Sequence, residues 1–216
     1  MQIEARNTHA PVGAIPHMLA HEAPRNVGRV GVIGANADSL GIVIRLLDAG
    51  VPVTLFEPGR DALAELVALV RTGFEAAVGR GELGPFERDR RLALLAGTVN
   101  FHHLKDCDLI VDAVSTGCAS KEALFRRLDQ VAKPEAVLAT LATDISVDHL
   151  AGCTRRSRDV LGLHVSWSPT AGEVWQPMPG RDTSDATVNT VIALARKLHE
   201  DATVAGPYHD RAYQAG

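Results

Sequence analysis

The segment 30–57, VGVIGANADSLGIVIRLLDAGVPVTLFE, decides the fold of this chain. It begins with four apolar residues, Val30–Ile33, and a polar turn that starts at Gly34 leads into a helical pattern of apolar residues. Gly50 stands where a glycine commonly ends a helix. A second apolar run then ends in an acid, Glu57. The segment therefore predicts a strand, a tight turn, a helix and a parallel strand.

This layout is typical of a dinucleotide-binding βαβ unit, in which the helix N-terminus faces a pyrophosphate and an acid binds the ribose hydroxyls. Its glycine fingerprint, G-x-G-x-x-G, is incomplete, because Asn36 and Ser39 replace the second and third glycines. Asn36 tolerates a left-handed backbone, but its side chain occupies space that a phosphate needs. Ser39 is small enough for the helix to pack on the strand. Asp38 is either an ordinary first-turn acid or a charge that repels the pyrophosphate.

Composition indicates one large domain, since 46% of the 216 residues are hydrophobic and 22% are charged. A net charge of −4 gives no reason to expect a nucleic-acid or membrane partner. The first residues show neither an export nor an organelle signal. The three cysteines, Cys107, Cys118 and Cys153, lack the spacing of a metal site or a disulfide framework. We therefore expect a protein of the reducing cytoplasm that holds no metal.

Alternating strand and helix patterns predict a single α/β domain with a Rossmann-like, doubly wound and mostly parallel sheet. We expect an N-terminal arm at 1–28, the Rossmann-like domain at 29–205 and a C-terminal tail at 206–216. The arm carries His9, His17 and His21, whose spacing suits a surface segment better than a metal site. Beyond segment 30–57, predicted strands lie at 98–101, 107–114, 136–142, 160–165, 173–178 and 202–204, and predicted helical segments at 61–78, 86–95, 120–131, 147–150 and 184–199.

Several segments, in order, resemble the NAD-binding domain of 3-hydroxyacyl-CoA dehydrogenases and the fused enzymes of fatty-acid β-oxidation. The resemblance covers about 27–204 and implies NAD as cofactor and a CoA thioester or similar hydroxy acid as substrate. The reaction it implies is oxidation of the CH–OH group. The segments are VGVIGANADSLG, LFE, RGELGPFERDRRLALLAGTVNFHHLKDCDLIVDAV, SKEALFRRLDQV, VLATLATDIS and VLGLHVSWSP.

The resemblance also implies roles for single residues. His164 matches the family's catalytic histidine and is expected to act as the base, unless it is a plain buried histidine. The glutamate that orients this histidine corresponds to Gln176, whose amide cannot stabilise an imidazolium by charge. The implied catalytic residues are His164, Gln176 and Thr143, and the implied cofactor-binding residues are Gly34, Asn36, Ser39, Glu57 and Lys121.

Two departures from the family pattern qualify these roles. The asparagine that follows the histidine motif is replaced by Trp167, or by Ser168 if the alignment shifts by one. In the family a helical domain follows and closes over the acyl-CoA, whereas this sequence ends at Gly216. We therefore expect a homo-oligomer or a partner chain to replace that domain, with apolar surface near Trp167, Trp175 and Met178. The alternatives are an impaired or partner-dependent oxidoreductase and a non-catalytic binding or assembly module.

Overall fold

The structure is a computed structural model that describes residues 22–141, 145–168 and 172–200. Short 3-10 turns lie at Phe101–Asp106 and Ser157–Asp159. The strands are β1 (Val30–Ile33), β2 (Val53–Phe56), β3 (Leu95–Thr98), β4 (Leu109–Asp112), β5 (Val137–Thr140), β6 (Val160–Ser168) and β7 (Gly172–Pro179). The helices are α1 (Ala37–Asp48), α2 (Arg60–Gly79), α3 (Pro85–Leu92), α4 (Cys118–Val131), α5 (Val147–Gly152) and α6 (Asp185–Glu200).

The seven strands form one sheet in the order β3-β2-β1-β4-β5-β6-β7. Neighbouring strands are parallel throughout, except that β7 runs antiparallel to β6. The strand order reverses between β1 and β4, and in sheets of this kind ligands bind outside the carboxyl ends of the strands at that point. The predicted Rossmann-like fold is confirmed.

Both ends of helix α1 are capped by residues that lie next to the helix in the sequence. The carboxamide of Asn36 caps its N-terminus by accepting a hydrogen bond from the Ser39 N–H. At its C-terminus Gly50 has a φ of 65°, and the Gly50 and Val51 N–H groups bond back to Leu47 and Leu46. This is the glycine-terminated ending that the sequence predicts.

The buried face of α1 is rotated slightly from the predicted one. The apolar spacing predicts a face of Leu40, Val43, Ile44 and Leu47. In the structure Ile42, Val43, Leu46 and Leu47 are each at most 1% exposed, whereas Leu40 and Ile44 are only partly buried against the core. The side chains from β1, β2 and β4 on the same face complete this core. The helix therefore packs on the sheet at the point where the strand order reverses, between β1 and β4.

The edge strand β3 lies three residues before its predicted position, and the predicted helix at 86–95 ends at Leu92. Phe101, the last residue of the predicted strand, instead begins a 3-10 turn. Gly97 explains the placement, because a Cβ there would lie 3.3 Å from Leu63 and 3.4 Å from Val67 of α2. A close approach of α2 thus fixes the edge strand at a glycine that lacks a strand-like pattern. The predicted strand at 202–204 lies outside the described residues.

Strands β6 and β7 form an antiparallel ribbon that projects beyond the rest of the sheet. The last residue of β5, Thr140, pairs with Gly162, while β6 continues to Ser168 alongside β7. Outer strand β7 contains Pro177 and Pro179, which pair in register with Leu163 and Leu161. A proline in an edge strand turns its missing N–H side towards solvent.

Trp175 corrects the expectation of an apolar surface on this ribbon. Its side chain is only 6% exposed and belongs to the same buried cluster as Leu163 and as Val191 and Leu194 of α6. Helix α6 covers this face of β7, which is why the tryptophan is buried. The side chain of Trp167 lies outside the described part of the structure.

Candidate cofactor and active site

The turn after β1 requires a glycine at its first position. Gly34 has a φ of 103°, in the left-handed region, and is buried. A Cβ at this position would also lie 3.1 Å from the side chain of Val114. The Gly34 N–H donates to the carbonyl of Phe56 at 3.0 Å, which ties the turn to the end of β2. Any other residue here would be strained.

Asn36 occupies the second glycine position and connects two elements. Its Oδ1 accepts hydrogen bonds from the Ser39 N–H at 3.0 Å and the Ser39 hydroxyl at 3.2 Å. Its Nδ2 donates to the carbonyl of Ala113 at 2.6 Å, just beyond the end of β4. The Asn36 backbone is extended, with a φ of −141°, so its tolerance of left-handed conformations is not used. The side chain is therefore a fixed part of the turn.

The first turn of α1 keeps some capacity to bind an anion. Ser39 is fully buried and its N–H is taken by the Asn36 cap. The N–H groups of Ala37 and Asp38 have no intrahelical acceptor, as at every helix N-terminus. Asp38 is exposed, so its carboxylate stands in solvent near those donors. A phosphate at this helix end would gain two donors and meet one like charge.

Glu57 follows β2 directly and its carboxylate faces the turn. One oxygen accepts from the Ala35 N–H at 3.1 Å and the other from the Gly59 N–H at 2.9 Å. Each carboxylate oxygen can accept more than one hydrogen bond, so ribose hydroxyls can still donate to Glu57. Gly34, the α1 N-terminus and Glu57 meet at the carboxyl ends of β1 and β2. This arrangement fits the adenosine ribose and pyrophosphate of NAD.

Lys121 lies in the interior, in a polar network that the sequence did not reveal. Its Nζ is 2.5 Å from Oδ2 of Asp112, and the two side chains are 1% and 0% exposed. The same oxygen accepts from the Thr140 hydroxyl at 3.1 Å, and Oδ1 accepts from the Val114 N–H at 3.1 Å. The ammonium group therefore points at the end of β4. The only hint in the sequence was an acid at the end of an otherwise apolar strand, which must find a partner when buried.

His164 and Gln176 lie directly opposite each other on the β6–β7 ribbon. Both side chains are exposed, so a plain buried histidine is excluded. His164 is two residues beyond the partner of Thr140, which places it roughly 7 Å past the carboxyl end of β5. Alternation along the strands puts this pair on the face opposite to Val165 and Trp175. Thr143 lies outside the described residues.

The structure thus arranges the predicted residues in two groups and sets one apart. Four of the predicted cofactor residues converge at β1 and β2, and two of the predicted catalytic residues pair on the ribbon, with β4 and β5 between the groups. Lys121 belongs to neither group, because its ammonium is buried against Asp112.

Among the described residues, no helix is long and apolar enough to cross a membrane.

Comparison with known proteins identifies the family. Residues 29–206 match the family model described as 3-hydroxyacyl-CoA dehydrogenase, NAD binding domain. A 3-hydroxybutyryl-CoA dehydrogenase of Mycobacterium tuberculosis is 37% identical over 139 residues, which are 64% of this chain and 49% of that protein. The peroxisomal bifunctional enzyme of Cavia porcellus is 31% identical over 186 residues, which are 85% of this chain and 25% of that enzyme. This chain therefore spans half or less of the length of these curated relatives.

Solved structures agree with this assignment. The crystal structure of M. tuberculosis FadB2 matches with a TM-score of 0.74 and 32% identity, over 82% of this chain and 62% of that one. The 3-hydroxybutyryl-CoA dehydrogenase of Escherichia coli matches with a TM-score of 0.76 and 26% identity, over 81% of this chain and 37% of that one. This chain belongs to the 3-hydroxyacyl-CoA dehydrogenase family, carries that family's NAD-binding domain, and has NAD as its cofactor.

Proposed function

We propose that this domain supports NAD-linked oxidation of the CH–OH group of a 3-hydroxyacyl-CoA or a similar hydroxy acid. We further propose that it does so only weakly until another polypeptide or a second copy covers the substrate. The observation that carries the proposal is the exposed His164–Gln176 pair on the ribbon beyond the carboxyl end of β5. A histidine in that position can act as a general base that takes the proton of a hydroxyl group.

The residues divide the work as follows. Glu57 accepts hydrogen bonds from the ribose, and Gly34 lets the backbone turn tightly beneath the α1 N-terminus. His164 accepts the proton of the substrate hydroxyl, and Gln176 orients its ring. NAD, when bound, supplies the hydride acceptor. Thr143 is assigned to the substrate by the family resemblance.

Low activity is expected because two supports of the base are weak. Gln176 can orient His164 but brings no negative charge to stabilise the imidazolium. In the Ser-His-Asp triad of serine proteases, replacing the carboxylate by an amide lowers kcat about 10⁴-fold. The exposed His164 side chain also stands in water, whereas efficient sites exclude water from the reacting atoms. A covering chain would correct the second deficit and leave the first.

A non-catalytic binding or assembly module is the second candidate. The bond of Asn36 Nδ2 to the Ala113 carbonyl, at 2.6 Å, supports it, because this bond holds a carboxamide where the pyrophosphate passes in a glycine-rich turn. In this alternative the domain keeps its fold but binds NAD too weakly to support turnover.

NADH formation with a short 3-hydroxyacyl-CoA separates the two candidates. We expect trace turnover in the wild type, none in His164→Ala, and an increase of about tenfold or more in Gln176→Glu. The control is His102→Ala, which alters an exposed histidine on the 3-10 turn. Strong wild-type turnover that His164→Ala abolishes would show an unimpaired dehydrogenase. Turnover that survives His164→Ala would remove this histidine from the mechanism, and no NADH binding with no turnover in any variant would favour the binding module.

A further inference from the structure

Three side chains with metal-binding donor atoms meet on the surface between α4 and α5. Cys118 and Glu122 lie one turn apart on α4, and His149 comes from α5. The thiol of Cys118 lies 3.5 Å from Oε1 of Glu122, and Nε2 of His149 lies 2.8 Å from the same oxygen. The three ligand atoms all lie within 4.8 Å of one another. The linear spacing of the cysteines gave no indication of this cluster, because the histidine is supplied by a different helix.

We propose that Cys118, Glu122 and His149 form a binding site for Zn²⁺. Thiolate, imidazole and carboxylate are all common zinc ligands, and a sulfur–nitrogen pair selects zinc over magnesium or calcium. The thiol of Cys118 and the imidazole of His149 both contact Oε1 of Glu122, so two hydrogen bonds converge on one carboxylate oxygen. A cation at that point would replace the shared protons and bond to all three groups.

The distances from the Glu122 oxygen to the Cys118 sulfur and to the His149 nitrogen are close to those around a tetrahedral ion. With usual zinc–ligand bond lengths, a tetrahedral angle places sulfur and oxygen about 3.5 Å apart and nitrogen and oxygen about 3.3 Å apart. The Cys118–Glu122 distance already equals the first value. The His149 ring must retreat by roughly half an ångström to reach the second. Its side chain is 51% exposed, which leaves it room to do so.

Arg126 orients the carboxylate of Glu122 as a metal ligand. Its Nη2 donates to Oε2 of Glu122 at 2.8 Å, which fixes the rotamer and leaves Oε1 directed at the thiol and the imidazole. The nearby thiol of Cys153 has other partners, the backbone carbonyl of His149 at 3.4 Å and Nη2 of Arg126 at 3.7 Å. The site therefore offers three protein ligands and one exchangeable position, as in zinc sites that bind water or a further ligand.

The site lies near the edge of the sheet where the cofactor binds. Cys118 is the first residue of α4, which follows β4, and α5 follows β5 by a short connection. The carboxyl ends of β4 and β5 form the edge between the cofactor residues and the catalytic ribbon. A zinc ion here would lie on the outer rim of that edge, with its exchangeable position open to solvent.

Calorimetric titration of the full chain with Zn²⁺ tests the proposal, with Co²⁺ as a spectroscopic probe. We expect one tight equivalent and a thiolate-to-cobalt charge-transfer band. Affinity should fall at least about tenfold in Cys118→Ser, in Glu122→Gln and in His149→Gln. Circular dichroism should show an unchanged fold for Cys118→Ser and His149→Gln, because both side chains are exposed.

Two matched controls make the result specific. Cys153→Ser removes a neighbouring thiol outside the ligand set and should retain both binding and the charge-transfer band. A triple variant with His9, His17 and His21 changed to Gln removes the histidines of the arm and should also bind as the wild type does. The proposal is overturned if Cys118→Ser and His149→Gln bind like the wild type, if the cobalt spectrum lacks a thiolate band, or if only a control variant loses the ion.

Discussion

At the scale of single residues, Asn36 both stabilises the turn and competes with the cofactor. It caps α1 and bonds to the carbonyl of Ala113. Asn36→Gly together with Asp38→Thr should tighten NADH binding by about tenfold, because a like charge and a side chain leave the phosphate path. Calorimetric titration of NADH measures this change.

The same double variant should lose stability. The hydrogen bond to Ala113 is absent in Asn36→Gly, which costs about 1 kcal/mol of the free energy of unfolding. Asp38→Thr alone is the control, since it removes the charge and leaves the cap. Low-micromolar NADH affinity in the wild type, unchanged in both variants, would show that the turn binds pyrophosphate as it stands.

Glu57 predicts a preference for NADH over NADPH. Its carboxylate is fixed by the Ala35 and Gly59 N–H groups, so it cannot easily move away from a 2′-phosphate. Arg60, three residues on in the sequence at the start of α2, is a cation that could favour the phosphate. Tighter binding of NADPH than of NADH by the wild type would refute the prediction, and Arg60→Ala would then show whether that arginine is the cause.

At the scale of elements, an ion pair between α1 and α3 predicts a pH-dependent stability. Asp48 and Arg91 are buried and their side chains meet at 2.5 Å, while Oδ2 of Asp48 has no hydrogen-bond partner among the described residues. Burial raises the pKa of Asp48 to about 6, and the attraction of Arg91 and Arg45 only partly opposes it. The folded state therefore holds the Asp48 proton more tightly than the unfolded chain does.

The direction in which stability changes with pH follows from this difference in proton affinity. Between about pH 4 and 6 the folded state binds more protons than the unfolded state, so the contribution of Asp48 to stability falls as pH rises. The full loss is about 3 kcal/mol above pH 6. In urea unfolding from pH 4 to pH 7, the free energy of unfolding of the wild type should fall relative to that of Asp48→Asn by most of this amount. Asp89→Asn, which changes an exposed carboxylate on α3, is the control, and parallel pH profiles for wild type and Asp48→Asn would contradict the assignment.

Elements were predictable from the sequence where local patterns define them. Helix α1 and strands β1 and β2 followed from apolar spacing and from the glycines at 34 and 50, whose conformations are local requirements. Strand β3 was misplaced because its position depends on the approach of α2 to Gly97. The burial of Trp175 depends on α6, and the pairing of Lys121 with Asp112 depends on the packing of α4 on β4. Contacts between distant segments of this kind leave little trace in the order of residues.

At the scale of the whole molecule, the exposed His164 predicts assembly with another chain. The chain that this catalytic role requires must cover the ribbon and exclude water from it. We expect sedimentation velocity to show a homo-oligomer, or a complex with a copurifying chain. A clean monomer at high concentration, with no partner in pull-down experiments, would contradict this expectation.

The two prolines of β7 restrict how such an assembly can form. Pro177 and Pro179 leave the outer margin of that strand without two N–H donors, so a foreign strand cannot extend the sheet there in a regular ladder. The ribbon is thereby protected from edge-to-edge aggregation, although it projects beyond its neighbours. A partner must instead engage the face that bears His164 and Gln176, through side chains rather than through backbone hydrogen bonds.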